Sequence, residues 1–204
     1  PWTANGNKPT DSYYYWTPYN NRNFTKGHLL RSADRGGAES EMNIQTFYPT
    51  NIAPEAYLYE EHWSKVEELL SDTWECSDTT YVVTGCYYAD NSYKTYDASN
   101  WGNQSALSKE CIIPTARYKV ILRTKSGSSG KSIAECSSEE VMAIGFWFPQ
   151  NLNNENPNTT PPLSNYIYSV SEIEQMIGGE FEFFPTVPTE VKNRVNINDW
   201  PGLN

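Results

Sequence analysis

The chain has only two histidines, His28 and His62, and this scarcity narrows the search for chemistry. Imidazole is the side chain whose ordinary pKa lets it exchange a proton near neutral pH. His28 follows Lys26 and Gly27 and precedes Arg31, Asp34 and Arg35. Gly27 lets the backbone approach a ligand closely. Lys26, Arg31 and Arg35 are the densest local cations in an acidic protein. A lone histidine is more often structural than catalytic, so spacing alone does not assign His28 a role. A second group lies downstream, where Thr50 to Glu55 lead into a stretch carrying Glu60, Glu61, His62, Trp63, Glu67 and Glu68. Glu60 and Glu67 are seven residues apart and so share nearly one helix face. Oxygen donors on one face suit a hard ion such as magnesium, which keeps several of its waters. A solvated acidic face is the plainer reading of the same spacing, and His62 reads as an ordinary surface histidine on that helix.

These residues need elements to hold them. Phe24 to Arg35 begins as a short strand. Gly36 to Asn43 reads as a loop, and Thr46-Phe47-Tyr48 as a short strand whose pairing Pro49 limits. From Leu58 to Leu70, Trp63, Val66, Leu69 and Leu70 recur at helical spacing. Tyr81 to Thr84 is a strand closed by Gly85, and Ile112 to Leu122 is a strand region bent at Pro114. Ser126 to Gly130 reads as a flexible tip. Val141 to Phe148 is almost wholly apolar and predicts a buried strand. Asn151 to Pro162 reads as a long loop. Ser171 and Glu174 suggest a capping box before a short helix that Gly178 and Gly179 would stop. Residues 1–23 read as irregular. Strands and helices mix without βαβ regularity, which makes the class α+β. The length suits a single domain, 1–204.

Lys and Arg number 15 against 25 Asp and Glu, a formal charge of −10. Nucleic-acid binders usually carry a basic footprint, but a site needs only local cations. No stretch approaches the roughly 20 apolar residues of a membrane helix, and no membrane insertion is expected. Pro1-Trp2-Thr3 reads as a trimmed mature end. Cys76, Cys86, Cys111 and Cys136 are even in number and lack a Cys-x-x-Cys pair, so disulfides are favoured over zinc. Four cysteines allow three pairings. Cys86 ends one expected strand and Cys111 opens the next, which favours Cys86–Cys111 with Cys76–Cys136. Together with many Tyr, Asn, Thr and Ser residues, this points to a secreted, periplasmic or cell-surface protein.

At this point the motifs become recognisable. Thr25-Lys26-Gly27-His28-Leu29 through Ser32-Ala33-Asp34-Arg35 resembles the Asp-Arg-Gly-His signature of the DNA/RNA non-specific endonucleases. These are the ββα-metal, or His-Me finger, nucleases. Gln45 to Tyr48 followed by Thr50 to Glu55 is similar to their strand and Asn-x-x-Pro-Gln turn. Trp63-Ser64-Lys65-Val66-Glu67 resembles their metal helix. Tyr81 to Gly85, Ile113 to Val120, Ala143 to Phe146 and Val170 to Pro185 resemble later family segments, so the likeness runs over about residues 24–195.

The resemblance implies a ββα-metal finger within a central antiparallel sheet, flanked by helices and long loops. It implies an endonuclease acting on DNA and RNA, with His28 as general base toward water and a divalent ion, Mg2+ or in its place Mn2+ or Ca2+. It gives Asn51 a place beside the histidine, positioning the strand–helix junction or contacting phosphate. Glu67 would hold metal-bound water, and Arg31 and Arg35 are candidates for binding substrate. Two departures stand out. Lys26 occupies the place of a family arginine and lacks its bidentate fork. The family's metal-binding Asn falls here at Tyr59 or, with a one-residue slip, at Glu60; a carboxylate is the better ligand, so Glu60 is preferred. A nuclease-descended binding protein without catalysis is the alternative, and a glycan-binding module is a third reading that leaves the ordered motifs unexplained.

Overall fold

In the computed structural model, residues 24–36, 41–47, 49–89, 112–150, 161–179 and 181–203 are described, with only the backbone for 24–26, 41, 49 and 56–60. The chain groups into two compact units, one of residues 1–61, 88–115 and 150–159, the other of 62–87, 116–149 and 160–204. The class is α+β, as the pattern of the sequence predicts.

The first unit is organised by a two-stranded antiparallel ribbon of β1 (Phe24–His28) and β2 (Ile52–Ala56). Its register sets His28 opposite Ile52, Gly27 opposite Ala53 and Lys26 opposite Pro54. Pro54 lacks an N–H, which a ribbon with open edges tolerates, and its carbonyl accepts from Gln150 Nε2 at 2.5 Å. Between the strands come a 3₁₀ turn at Ser32–Arg35, helix α1 (Glu41–Thr46) and a second 3₁₀ turn at Pro49–Asn51. Gly36 ends the first turn at φ 80°, a left-handed conformation that suits glycine.

The strand expected at Thr46 to Tyr48 does not form. Thr46 is the last residue of α1 and Phe47 lies in a turn, while Tyr48 is outside the described residues. Short polar side chains decide this. Thr46 donates from its hydroxyl to the Asn43 carbonyl at 2.7 Å, and Asn43 Nδ2 donates to the Ser32 carbonyl and hydroxyl. Such local bonds override the β-propensity of Thr and Phe.

β2 leads directly into α2 (Tyr57–Glu68), which ends in a π turn at Leu69–Thr73. The second unit is built on an antiparallel sheet in the order β3 (Tyr81–Tyr87), β4 (Ala116–Thr124), β5 (Val141–Pro149), β6 (Ile167–Tyr168). Because side chains alternate along a strand, each central strand feeds two layers. Val120, Leu122, Val141 and Ala143 pack with Val170 and Ile173 of α3 (Val170–Met176), Phe183, Val187 and Val191 of α4 (Thr189–Lys192). On the alternate positions, Phe146 stacks on Trp74, which meets Trp200 edge-on, and Phe148 meets Trp63 of α2.

β5 is buried on both sides, as its apolar run predicts. β3 does not close at Gly85 but continues to Tyr87, because the Tyr118 ring lies over the glycine; a Cβ there would come within 2.3 Å of it. The capping box sits two residues earlier than the sequence suggests. Ser169 accepts from the Glu172 N–H, and the Glu172 carboxylate accepts from the Ser169 N–H. Gly178 and Gly179 stop the helix at positive φ.

The Ser126–Gly130 segment is tied down, contrary to its composition. Asp78 accepts from the Thr124 hydroxyl, the Ser129 N–H and hydroxyl, and the Gly130 N–H. These donors, Thr124 foremost, hold the Asp78 carboxyl well below the usual carboxylate range. Cys76 and Cys136 are separate thiols in this structure: Cys76 donates to the Asp78 carbonyl at 3.2 Å, Cys136 to the Ser132 carbonyl at 3.3 Å. Cys111, like most of the Asn151–Pro162 loop and residues 1–23, lies outside the described residues.

Gly145 marks the closest approach of β5 to α3: a Cβ there would meet Ile173 at 2.7 Å and the Tyr168 carbonyl at 3.2 Å. Gly145→Ala is therefore expected to destabilise the second unit by about 1–3 kcal/mol through overpacking. Urea unfolding of the variant against the native chain measures it.

Candidate functional site

His28 closes β1, and the chain must turn sharply after it. Asn51 holds that turn. The Leu29 N–H donates to the Asn51 carbonyl at 2.8 Å, and the Leu30 N–H to Asn51 Oδ1 at 3.0 Å. Asn51 Nδ2 donates in the other direction, to the Leu30 carbonyl at 2.9 Å and the Thr46 carbonyl at 2.8 Å. Both amide hydrogens and the carboxamide oxygen are thus engaged with backbone. One side chain ties the residues after His28 to the end of α1. The Asn51 amide is in no position to ligate a metal without giving up these bonds. Of the two roles expected for it, the geometry matches positioning.

The His28 ring is half-buried, with Nε2 itself shielded from solvent. Phe47 meets it edge-on at 5.1 Å and 89°, the T-shaped contact that aromatic quadrupoles favour. Sequence inspection did not single out Phe47; its place at the end of α1 puts it there. Arg31 is half-buried and precedes the Ser32–Arg35 turn, and Arg35 is exposed in the last turn. Lys26 lies two residues before His28 in β1, with its backbone opposite Pro54.

In the second unit, Glu67 sits in a cluster that the sequence pattern did not reveal. Its Oε1 accepts from the Trp63 indole N–H at 2.8 Å and from Lys119 Nζ at 3.3 Å. Lys119 also lies over the Trp63 ring, 4.3 Å from its centroid, and the Arg117 guanidinium lies 3.8 Å from the same centroid. Arg117 and Lys119 are 1% and 3% exposed. Their legible signal was cations two residues apart inside an otherwise apolar strand. His62 is not the surface residue expected. It donates from Nε2 to the Pro161 carbonyl at 2.7 Å and packs on Phe148 and Tyr166, which leaves little support for it as a metal ligand.

Among the described residues, no three His, Cys, Asp or Glu side chains gather so as to hold a metal ion. Magnesium does not require such a cage; one or two carboxylates with waters and substrate oxygens suffice. Glu67 offers oxygen of the right kind, and Glu60 lies seven residues before it on α2.

The chain matches the family model of the DNA/RNA non-specific endonucleases over residues 1–190. It belongs to that family. Among solved structures, this chain is similar to a chain in the crystal structure of the EndoG/EndoGI complex, a study of EndoG inhibition. The TM-score is 0.52 at 18% identity, over 83% of this chain and 62% of that one. The likeness therefore spans less than two thirds of the EndoG-complex chain and speaks for the fold. No curated protein matches.

Asn51→Ala strands the Leu30 N–H and the Leu30 and Thr46 carbonyls. It should cost about 2–4 kcal/mol of stability at roughly 1 kcal/mol per lost partner and more where burial is deep. Asn51→Asp should be no milder, because a carboxylate oxygen would then face two carbonyls. Denaturation of the metal-free protein is the measurement.

Proposed function

We propose that this protein is a metal-dependent endonuclease that hydrolyses phosphodiester bonds of DNA and RNA without sequence preference. The observation that carries the proposal is the mounting of His28. A histidine at the end of β1, oriented by Phe47 and followed by a turn pinned through Asn51, is what a general base requires in a chain of this family. His28 takes a proton from water through an unprotonated ring nitrogen. The water oxygen bonds to phosphorus, and the bond to the 3′ oxygen breaks with its electron pair leaving on that oxygen, which takes a proton from solvent. The products carry a 5′ phosphate and a 3′ hydroxyl.

Lys26, Arg31 and Arg35 are assigned to the phosphate backbone. Such contacts carry no base information, which accounts for activity on any sequence. With a net charge of −10, binding rests on these few local cations and should weaken as salt rises. Glu67 and Glu60 would hold the divalent ion, Mg2+ first and Mn2+ or Ca2+ in its place. When bound, it supplies positive charge against the oxygens that become more negative in the transition state. Asn51 contributes by fixing the backbone beside His28 rather than by touching substrate. The family match over residues 1–190 supports reading the chain as one nuclease domain. The polar composition, rich in Tyr, Asn, Thr and Ser, supports export to the cell surface, periplasm or medium.

Purified protein should nick supercoiled plasmid with magnesium and stop with EDTA. His28→Ala should lower the rate by about 10²- to 10⁴-fold, the usual contribution of a general base. Native activity in His28→Ala would remove the histidine from the mechanism. No cleavage under magnesium, manganese or calcium would favour the non-catalytic nuclease-fold reading, to which the Lys26 and Tyr59–Glu60 departures point.

A further inference from the structure

We propose that Lys119 is a positioning residue for Glu67, acting with Trp63 to hold the carboxylate in one orientation; this rests on the nuclease reading and assigns a part in it to β4. Three observations converge. Lys119 Nζ is 3.3 Å from Glu67 Oε1, with the lysine 3% and the glutamate 12% exposed at the side chain. The Trp63 indole N–H donates to that same oxygen at 2.8 Å, one helical turn from Glu67. Lys119 and Arg117 both lie over the Trp63 ring, so the indole is fixed in turn.

The arrangement exceeds what packing needs. An apolar residue of lysine's length would fill the same space between α2 and β4 without the desolvation penalty of a buried ammonium. A lysine there provides something packing does not: it selects one rotamer of Glu67 and one of its oxygens. A carboxylate held on one side by an indole N–H and an ammonium cannot swing freely about its terminal torsions. Residues that orient a site's carboxylates in this way commonly change activity by tens of fold when removed. Lys119 is engaged with protein on all the contacts described and is almost fully buried, so it acts through Glu67 rather than by touching phosphate.

The test compares Lys119→Met, Lys119→Arg, Trp63→Phe and Glu67→Ala with the double variant Glu67→Ala/Lys119→Met, all in the full chain. Plasmid nicking by Lys119→Met should fall about 10- to 100-fold in kcat, with KM little changed. Lys119→Arg should recover most of that loss, because it restores a donor to Oε1. Trp63→Phe keeps the ring and removes only the N–H, so it should fold and lose about threefold to tenfold in kcat. In the Glu67→Ala background, Lys119→Met should cause no further loss. A second readout needs neither metal nor substrate: urea unfolding of the metal-free single and double variants should show coupling between positions 67 and 119. If native protein nicks DNA and Lys119→Met does so equally well, the positioning role is overturned. It is also overturned if Lys119→Met lowers kcat as much without Glu67 as with it, or if the unfolding coupling is absent. Failure of native protein to nick DNA defeats the nuclease reading instead, while the coupling still reports the contact.

Discussion

Burying cations constrains the second unit more than any other interaction. Arg117, Lys119 and Arg123 occupy alternate positions of β4, and all are withdrawn from water. Moving a charge out of water costs several kcal/mol unless hydrogen bonds and opposite charge replace the solvent. Lys119 and Arg123 have such replacements, and Arg117 has the face of an aromatic ring. Arg123 donates to the Trp74 and Thr124 carbonyls. Lys119 meets Glu67, and Lys119 and Arg117 lie against the face of Trp63. The rotation and height of α2 from His62 to Glu68 over the sheet are therefore set by chemistry as well as by fit. A quarter turn of that helix would still bury apolar surface, but it would leave an ammonium and a guanidinium facing hydrocarbon.

The sequence announces some of this plainly. The apolar run from Val141 to Phe148 could be little else than a strand buried on both faces, and it is. The helical spacing of Trp63, Val66 and Leu69 marks the helix through Glu68, with the remainder continuing as a π turn. Where the reading fails, a specific contact overrules composition. Thr46 and Phe47 favour strands, yet the Asn43–Ser32 and Thr46–Asn43 bonds close a helix there. Gly85 looks like a strand's end and is instead the gap that Tyr118 fills. Serines and glycines at 126–130 look loose, yet a distant carboxylate, Asp78, binds Ser129 and Gly130, and the Thr124 hydroxyl accepts from Gly127. The capping box expected at Ser171 forms instead at Ser169, where the Glu172 N–H and carboxylate complete it.

The candidate site divides in the same way. His28 stands out as one of two histidines, and Asn51 through its resemblance to the family's turn. A positioning role for Asn51 was among the expectations, but its partners were not legible, since Leu30 and Thr46 have no distinctive chemistry. Phe47 and Lys119 were missed for a related reason. Their importance comes from what lies beside them in space, an imidazole in one case and a carboxylate in the other. His62 was misjudged from a helix whose neighbours are charged, while its ring lies among Phe148 and Tyr166.

The alternation along β4 also bears on how reliably the chain assembles. Its even positions feed Val120 and Leu122 to an apolar layer, while its odd positions carry the three cations. Shifting the strand by one residue against β5 exchanges the faces. Most strands that mispair lose only some packing. Here the error would thrust three positive charges among Val170, Ile173 and Phe183. A mispaired β4 would thus fail when α3 and the segment around Phe183 come to dock on it, so the strand's own charges proofread its register.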